Sequence, residues 1–307
     1  MSGLLVERST PLVQLQDGGR FGVRHLGVTQ GGALDWISHY WANWLLGNDL
    51  RAPVIEIPLG GFALLCLQDS HLALAGADLA ATLDDQPLTP WRSVAVRAGQ
   101  RLQFNAPRCG ARAYLATPGG FAVPAVLGSC STVSREGLGG PDGQGRALQA
   151  GDRLHWAVAA PRLRSMDNRA RPDFSTPPTL ELILGAQYGE FSGVSLFELF
   201  NSDWRLDSRA DRMGMRLLGA PLRYQGRPMI SEGIPLGAVQ VPPDGQPIVL
   251  FNDRQTIGGY PRLGALSPHA LARLAQCLPG ETVRLRPSDQ ASAMHEHRRL
   301  LAQWATG

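Results

Sequence analysis

The sequence contains no lysine, since all 29 of its basic Lys and Arg positions are arginines. The chain therefore has no side-chain amine to form a Schiff base, to serve a phosphate-binding P-loop or to carry biotin covalently. A base composition that favours arginine codons accounts for the bias, but the chemical exclusion holds whatever its cause. Phosphate or carboxylate groups would have to be bound by arginine, by backbone amides or by a partner chain.

Cysteine is scarce, and long apolar runs are absent. The four cysteines are scattered, without a CxxC pair or the Cys/His spacing of a metal site, so we predict reduced thiols, a cytoplasmic protein and no bound metal. No uninterrupted stretch approaches the roughly 18 apolar residues of a transmembrane helix. Glu7 and Arg8 interrupt the N-terminal apolar run before it could serve as a signal peptide.

Charge is modest and evenly mixed. Charged residues make up 18% of the chain and the net charge is +3. No basic stripe or polybasic patch stands out, so neither nucleic acid nor a membrane surface is predicted as a partner.

Turns and short apolar segments are abundant. The chain has 36 glycines and 23 prolines, and between them lie segments of alternating hydrophobicity typical of short strands. Strands of about five residues at this spacing favour a mainly β chain of barrels or sandwiches. The predicted strands are 54–57, 62–67, 71–74, 94–96, 101–104, 113–116, 180–184, 215–218, 238–241 and 248–251.

Helices are predicted at only a few places. Residues 33–46 carry an apolar stripe that ends at a Gly-Asn pair, and residues 267–278 begin with a serine cap followed by proline. A polar helix is predicted for 288–306 and a short turn for 194–200.

A weak internal repeat predicts two related halves. The pattern small-Gly-x-x-apolar-x-apolar occurs at 98–104, 150–156 and 279–285, each time as a turn that leads into a strand. The arginine-rich, proline-bracketed stretch 162–178 is the predicted linker, with a boundary near residue 165. We therefore predict an N-terminal half at 1–165 and a C-terminal half at 166–307.

The first polar cluster precedes the first predicted helix. Glycines let the backbone approach a ligand there, and the cluster combines acidic, basic and imidazole groups: Asp17, Arg20, Arg24, His25 and Asp35. The alternative is a turn-rich edge held by an Asp-Arg pair.

A second cluster, residues 208–217, surrounds the start of a predicted strand. Side chains two positions apart share one side of a strand, so Arg212 and Arg216 could present two guanidinium groups on one face. The alternative is a solvated charged turn.

The third cluster follows two predicted strands late in the chain. If these strands pair, their polar ends converge on one barrel mouth: Gln240, Asp253, Arg254, Gln255, Thr256 and Tyr260. Amides, a carboxylate, a guanidinium and a phenol suit a small polar ligand that contains a planar amide or ureido group. A structural strand end is the alternative.

Together these motifs resemble the biotin-dependent carboxyltransferase/allophanate hydrolase subunit 2 family, which includes KipA-like proteins and the C subunit of bacterial 5-oxoprolinase. The resemblance keeps its order from about residue 3 to residue 290. The matching motifs are Gln16-Asp-Gly-Gly-Arg20, Gly32-Ala33-x-Asp35, Ala42-Asn43, Gly47-Asn48, Gly76-Ala77-Asp78, residues 208–217, Ser231-Glu-Gly233 and residues 237–261.

The resemblance implies two cyclophilin-like β-barrel halves and a stand-alone C subunit of an ATP-dependent 5-oxoprolinase. Such a protein would act with two partners, a KipI-like B subunit together with an A subunit, to convert 5-oxo-L-proline to L-glutamate. Mg-bound ATP would be used by the complex, and this chain would carry no biotin. Two alternatives remain: carboxyl transfer from carboxybiotin on another chain to a urea-like amide, and a non-enzymatic KipA-like regulator of a kinase inhibitor.

Under this hypothesis, Arg254 and Arg212 neutralise oxyanion or phosphate charge, and Asp253 or Glu232 serves as general base or positions water. The remaining predicted residues bind the substrate: Gln240, Gln255, Thr256, Tyr260, Asp17, Arg20, His25 and Asp35.

Overall fold

The computed structural model describes residues 3–156, 160–164 and 166–305, and its internal contacts divide the chain into two compact units. Unit 1 comprises Met1–Val23 and Gln30–Ser175, and unit 2 comprises Arg24–Thr29 and Thr176–Gly307. Ser165, at the predicted boundary, lies outside the described residues. The boundary between the two halves stays a prediction.

The described residues of unit 1 form two sheets and one helix. A six-stranded sheet has the order β11-β1-β4-β9-β6-β7, and a five-stranded sheet has the order β2-β3-β10-β5-β8. The strands are β1 (Leu4–Arg8), β2 (Gln14–Gln16), β3 (Val54–Pro58), β4 (Phe62–Cys66), β5 (Ser70–Asp78), β6 (Thr82–Leu83), β7 (Gln86–Pro87), β8 (Arg92–Val96), β9 (Arg101–Phe104), β10 (Cys109–Ala116) and β11 (Arg153–Leu154).

The two sheets of unit 1 share one apolar core. Side chains from both sheets are buried in a single cluster, which includes Leu4, Ile55, Phe62, Leu74, Leu102 and Leu115. The helix α1 (Trp36–Trp44) packs on β5 and β10. Burial of apolar area at about 25 cal/mol per Å² is the main stabilising contribution of such a core.

Unit 2 is built on a closed barrel of seven strands in the order β12-β19-β16-β17-β14-β13-β20. The ring closes where β12 pairs in parallel with β20, for example Leu180 opposite Leu285. A separate pair, β15 with β18, lies outside the barrel. The strands are β12 (Thr179–Leu184), β13 (Trp204–Leu206), β14 (Gly214–Leu218), β15 (Glu232–Gly233), β16 (Ala238–Gln240), β17 (Ile248–Leu250), β18 (Ile257–Gly258), β19 (Arg262–Leu266) and β20 (Thr282–Ser288).

Alternation along the barrel strands places the core inside. In β14, Met215 and Leu217 are buried while their neighbours are half-buried, as the two-residue period of a strand requires. Three helices complete unit 2: α2 (Gly193–Asn201), α3 (Pro268–Leu274) and α4 (Gln290–Ala305). Single 3-10 turns occur at Arg24–Leu26, Ser134–Glu136, Asn168–Ala170 and Tyr188–Glu190.

The prediction of a mainly β chain with a few short helices is confirmed. Each predicted strand and helix coincides with an observed one, with ends that shift by a few residues. The predicted serine cap is present, because Ser267 accepts a hydrogen bond from the backbone N–H of Ala270 at 3.1 Å. Within the described residues, no helix has both the length and the apolar character needed to cross a membrane.

Candidate functional site

A cavity of about 630 Å³ in unit 2 is lined by one arginine, Arg24. It is lined by the turn that begins at Arg24 and by the segments around the β15–β18 pair. The lining residues are Arg24, His25, Gly27, Gly233, Ile234, Pro235, Thr256 and Ile257. We call this space the arginine cavity.

Arg24 binds three backbone carbonyls of the cavity wall. Its Nη2 donates to the carbonyl oxygens of Ile234 at 3.0 Å, Thr256 at 3.2 Å and Gln255 at 3.3 Å. These contacts attach the segment Arg24–Thr29 to unit 2, although the chain on either side of the segment belongs to unit 1.

Arg254, 20 positions after Ile234, also contacts the Ile234 carbonyl. Its side chain is only 2% exposed, and its Nε donates to the Ile234 carbonyl oxygen at 3.2 Å. Its Nη1 donates to the Phe251 carbonyl oxygen at 3.3 Å. One carbonyl thus accepts hydrogen bonds from two guanidinium groups.

This arrangement disfavours the charged form of Arg254. Burial, and then the neighbouring charge of Arg24, lower the pKa of the Arg254 guanidinium to about 9, and the carboxylate of Asp253 only partly opposes them. A buried cation beside a like charge is costly unless an anion compensates it. Arg254 therefore carries its charge at a cost that the neighbouring Asp253 carboxylate offsets only in part.

The β15–β18 pair fixes the shared carbonyl. Gly233 pairs with Ile257, and the backbone N–H of Ile234 donates to the Thr256 carbonyl oxygen at 3.0 Å. The Ile234 side chain is buried with Ala238 and Leu250 in a small apolar cluster. A paired backbone and an anchored side chain thus hold the acceptor in place for both arginines.

Two of the predicted amide side chains meet at Gly258. A Cβ at this position would lie 3.3 Å from Gln240 Nε2 and 3.5 Å from Gln255 Nε2. Gln240 is buried, and its Nε2 donates to the Tyr260 carbonyl oxygen at 3.4 Å. The glycine allows both amides to approach the β18 backbone.

Arg212 and Asp253 form an ion pair with each other. Arg212 Nε and Nη2 each donate to one carboxylate oxygen of Asp253 at 3.0 Å, and both side chains are largely buried. Such two-point pairs are rigid. Both Asp253 oxygens accept from Arg212, so the geometry suits a positioning role better than the predicted role of general base.

Neither Glu232 nor Tyr260 is among the residues that line the arginine cavity. Glu232 forms a 3.0 Å ion pair with Arg262, while its side chain remains 38% exposed. The side chain of Tyr260 lines a second cavity of about 740 Å³, together with Tyr224 and the Pro242-Pro243-Asp244 turn. The third cluster, predicted to face one barrel mouth, therefore borders two cavities.

The first predicted cluster is divided between the units. His25 lines the arginine cavity in unit 2, whereas Asp17, Arg20 and Asp35 lie in unit 1. Asp35 caps α1, and its Oδ1 accepts from the N–H groups of Ile37 and Ser38 at 3.1 Å. This contact gives Asp35 a structural role.

Asp17 and Arg20 hold one loop from both sides. Asp17 accepts from Ser131 Oγ at 2.5 Å, Ser129 Oγ at 2.6 Å and the Cys130 N–H at 2.8 Å. Arg20, only 1% exposed, donates to the carbonyl oxygens of Ser131 at 2.6 Å and Val126 at 3.0 Å. Burial raises the pKa of the Asp17 carboxyl, but the hydrogen bonds outweigh it and leave that pKa below its ordinary value.

Arg24 lines the arginine cavity but is not among the predicted site residues, although the first cluster contains it. Its acceptor Ile234 is 210 positions away in the sequence, so no local pattern links the two.

Neither a metal site nor a residue that could carry biotin is found in the described part of the chain. Among these residues, no group of three or more His, Cys, Asp or Glu side chains is placed to hold a metal ion. Lysine, the residue that carries biotin, does not occur in the sequence.

Residues 26–287 match the family described as carboxyltransferase domain, subdomain A and B, and the chain belongs to this family. The barrel strands up to Pro287 and the segments that line the arginine cavity, apart from Arg24 and His25, all fall within the matched range.

Known proteins resemble the chain over most of its length. It is 41% identical over 282 residues to the 5-oxoprolinase C subunit of Escherichia coli (strain K12), in a match that covers 91% of this chain and 89% of that protein. The Haemophilus influenzae 5-oxoprolinase C subunit is 38% identical over 88% of this chain and 86% of that protein. The crystal structure of Kluyveromyces lactis urea carboxylase superposes with a TM-score of 0.92 at 25% identity, over 98% of this chain but only 29% of that one.

Proposed function

We propose that this chain is the C subunit of an ATP-dependent 5-oxoprolinase that converts 5-oxo-L-proline to L-glutamate together with the A and B subunits. The observation that carries the proposal is the 41% identity to a 5-oxoprolinase C subunit, which extends over 89% of that protein. A match over nearly the whole of both chains supports a shared role more strongly than a match to one part of a multidomain enzyme.

The reaction needs help because a five-membered lactam is a resonance-stabilised amide. Hydrolysis adds water across the C–N bond of the ring, and ATP hydrolysis by the complex makes the opening favourable. Among the described residues, no cluster of acidic side chains is placed to hold a magnesium ion. The contribution that we assign to this chain is therefore to bind, orient and neutralise.

The arginine cavity is the proposed substrate site. Arg254 and Arg24 would compensate negative charge on the bound molecule. Thr256 and His25 line the same space, and Gln240 and Gln255 lie beside Gly258 on the adjoining strand. Glu232, which remains partly exposed, is the candidate general base or water-positioning group, and the Arg212–Asp253 pair holds the segment that carries Arg254.

The test is to reconstitute the chain with the subunits encoded beside it and to measure glutamate formed from 5-oxo-L-proline and ATP. We expect turnover that requires all subunits. An assembled complex that forms no glutamate would refute the proposal.

Carboxyl transfer to a urea-like amide is the second candidate. The observation in its favour is the TM-score of 0.92 to a urea carboxylase over 98% of this chain. A chain without lysine would need carboxybiotin on a separate carrier. Co-purification with a biotinylated, avidin-retained partner, and bicarbonate-dependent carboxylation of urea by that complex, would favour this candidate over the first.

A further inference from the structure

The second cavity, of about 740 Å³, shares no lining residue with the arginine cavity. Its volume falls within the range of about 300–1,000 Å³ that is usual for small-molecule sites. Proline and tyrosine rings, which present flat apolar faces, make up much of its wall. The tyrosines are Tyr224 and Tyr260, and the prolines are Pro221, Pro228, Pro242, Pro243 and Pro261. The wall is therefore suited to a flat apolar body.

Backbone hydrogen bonds join the three segments that form this wall. The N–H of Leu222 donates to the Gly245 carbonyl oxygen at 2.9 Å, and the N–H of Val241 donates to the Pro261 carbonyl oxygen at 2.9 Å. Gly245 has a φ of +76°, and a Cβ there would lie only 2.8 Å from the Leu222 backbone nitrogen, so the close approach requires glycine. The wall is therefore held together without a ligand.

The two tyrosines differ in what they leave available to a ligand. The Tyr224 hydroxyl donates to the Glu190 carboxylate, and this hydrogen bond raises the pKa of Tyr224 to about 12. The Tyr224 ring packs edge-on against Phe191, with 5.2 Å between ring centroids. The Tyr260 hydroxyl, by contrast, has no hydrogen-bond partner among the described residues. Tyr224 therefore contributes a fixed ring, and Tyr260 contributes a polar group.

Arg223 provides the charge that a ligand could meet. The charged residues that line the cavity are Arg223 and Asp244, and the Asp244 carboxylate already pairs with Arg216. Glu190, the partner of Tyr224, does not line the cavity. Across the described ranges, no acidic side chain forms an ion pair with the Arg223 guanidinium. An anionic group on a ligand could therefore pair with Arg223.

We propose that the second cavity binds an aromatic acid, whose ring packs on the prolines and whose anionic group pairs with Arg223. Proline rings pack well on aromatic rings, which is how aromatic-lined grooves bind proline-rich peptides. Here the protein supplies the prolines, so the ligand supplies the aromatic ring. A carboxylate and a phosphate both have the chemistry to pair with a guanidinium. The proposal does not depend on the proposed function, because the proposed substrate site has other lining residues.

The experiment is calorimetric titration of the full chain with four probes. Phenylacetate and phenyl phosphate have both the ring and an anion, benzyl alcohol has the ring alone, and acetate has the anion alone. We expect at least one of the two ring acids to bind about tenfold or more tightly than both benzyl alcohol and acetate. The tighter ring acid identifies the anion that the site prefers. Failure of both ring acids to exceed the two partial probes would overturn the proposal.

Arg223→Gln tests the contact with the anion. It removes the charge and keeps much of the length, so we expect the affinity for the tighter ring acid to fall by about tenfold. The matched control is Arg227→Gln, at an exposed arginine of the same segment that does not line the cavity, and its affinity should equal that of the wild type. Unchanged affinity in a folded Arg223→Gln protein would overturn the assignment.

Pro243→Glu tests the wall independently of Arg223. Pro243 is exposed and occupies the second position of a turn in which the Gly245 N–H donates to the Pro242 carbonyl oxygen at 2.9 Å. A carboxylate there would repel the anion, so we expect the affinity for the ring acid to fall by about tenfold or more. Pro279→Glu is the matched control, because Pro279 is exposed at the second position of the hydrogen-bonded turn 278–281 and does not line the cavity. Equal affinities of the two variants would refute the site.

Discussion

Two arginines four positions apart, Arg20 and Arg24, belong to different compact units and have opposite surroundings. Arg20 binds the carbonyls of the 126–131 loop while Asp17 accepts hydrogen bonds from the same loop, so a cation and an anion serve one structural element. Arg24 shares its acceptor with a second cation, Arg254. The first arrangement brings opposite charges to one loop, and the second brings like charges to one carbonyl.

The difference shows how to separate structural from functional charges in a chain whose basic residues are all arginine. Buried charges that maintain a fold are matched by groups of the fold itself, since breaking a buried pair costs about 3–5 kcal/mol. Arg24 and Arg254 instead bring like charges to one carbonyl, and a buried group whose pKa is shifted by such a neighbour is a candidate for a binding site. Substitutions at these residues and changes of pH test this contrast.

Replacing Arg254 should have the largest effect on function. We predict that Arg254→Ala lowers turnover by the assembled complex by more than about 100-fold, as for the loss of one charge-stabilising donor. The free energy of unfolding should fall by less than for Asp17→Asn, although a buried side chain is lost, because the Ile234 carbonyl keeps its hydrogen bond from Arg24 and the Phe251 carbonyl keeps its bond from the Arg254 backbone N–H. Steady-state glutamate formation and urea denaturation measure the two quantities. Near wild-type turnover in an assembled complex would remove Arg254 from the mechanism.

Replacing Asp17 should lower the stability of the protein and leave turnover unchanged. We predict that Asp17→Asn lowers the free energy of unfolding by about 2–3 kcal/mol, because donors on the 129–131 loop lose a charged acceptor. Urea denaturation measures this loss, and turnover by the folded complex should be unchanged. The control is Asp69→Asn, at an aspartate whose Oδ1 accepts one backbone hydrogen bond from Ala98.

Acid titration checks the same contact independently. The pKa of Asp17 is lower in the folded protein than its ordinary value of 3.8, so its stabilisation is present above that value and is lost as the pH falls through the folded pKa. The stability of the wild type and of Asp17→Asn should therefore converge as the pH falls below the folded pKa of Asp17. A difference that persists unchanged at low pH would show that the carboxylate charge does not stabilise the loop.

Alkaline pH should weaken ligand binding at the arginine cavity. With the pKa of Arg254 lowered to about 9, its guanidinium is almost entirely charged at about pH 7.5 and mostly neutral at about pH 10. We predict that the assembled complex binds 5-oxo-L-proline about tenfold more weakly at the higher pH. Titration calorimetry at both values measures the fall, and Arg205→Gln, at an exposed arginine of β13, should show the same fall as the wild type. An affinity that is independent of pH would show that the two cations do not share a titrating site.

Much of this fold was predictable because its signals are local. Alternation predicted strands such as β14, and a serine followed by proline predicted the start of α3 at Pro268. The pairing of Arg24 with Ile234 was not predictable, because the two are 210 positions apart and the carbonyl acceptor carries no side-chain signature. The division of the late cluster was missed for a related reason: nearby residues of an irregular segment can face different cavities, as Thr256 and Tyr260 do.

Replacing Tyr260 should have the smallest effect on turnover, and it tests whether the late cluster is divided between two cavities. Its side chain is 49% exposed and lines the second cavity, and its contact with Gln240 runs through the backbone carbonyl at 3.4 Å. Tyr260→Phe leaves that contact in place, so turnover should change by less than about threefold, well below the cost of a lost charged contact. The kcat and KM of the assembled complex measure it, with Tyr188→Phe as the matched control. A loss of more than about tenfold would mean that the phenol reaches the reacting molecule, and the two cavities would then have to be treated as one site.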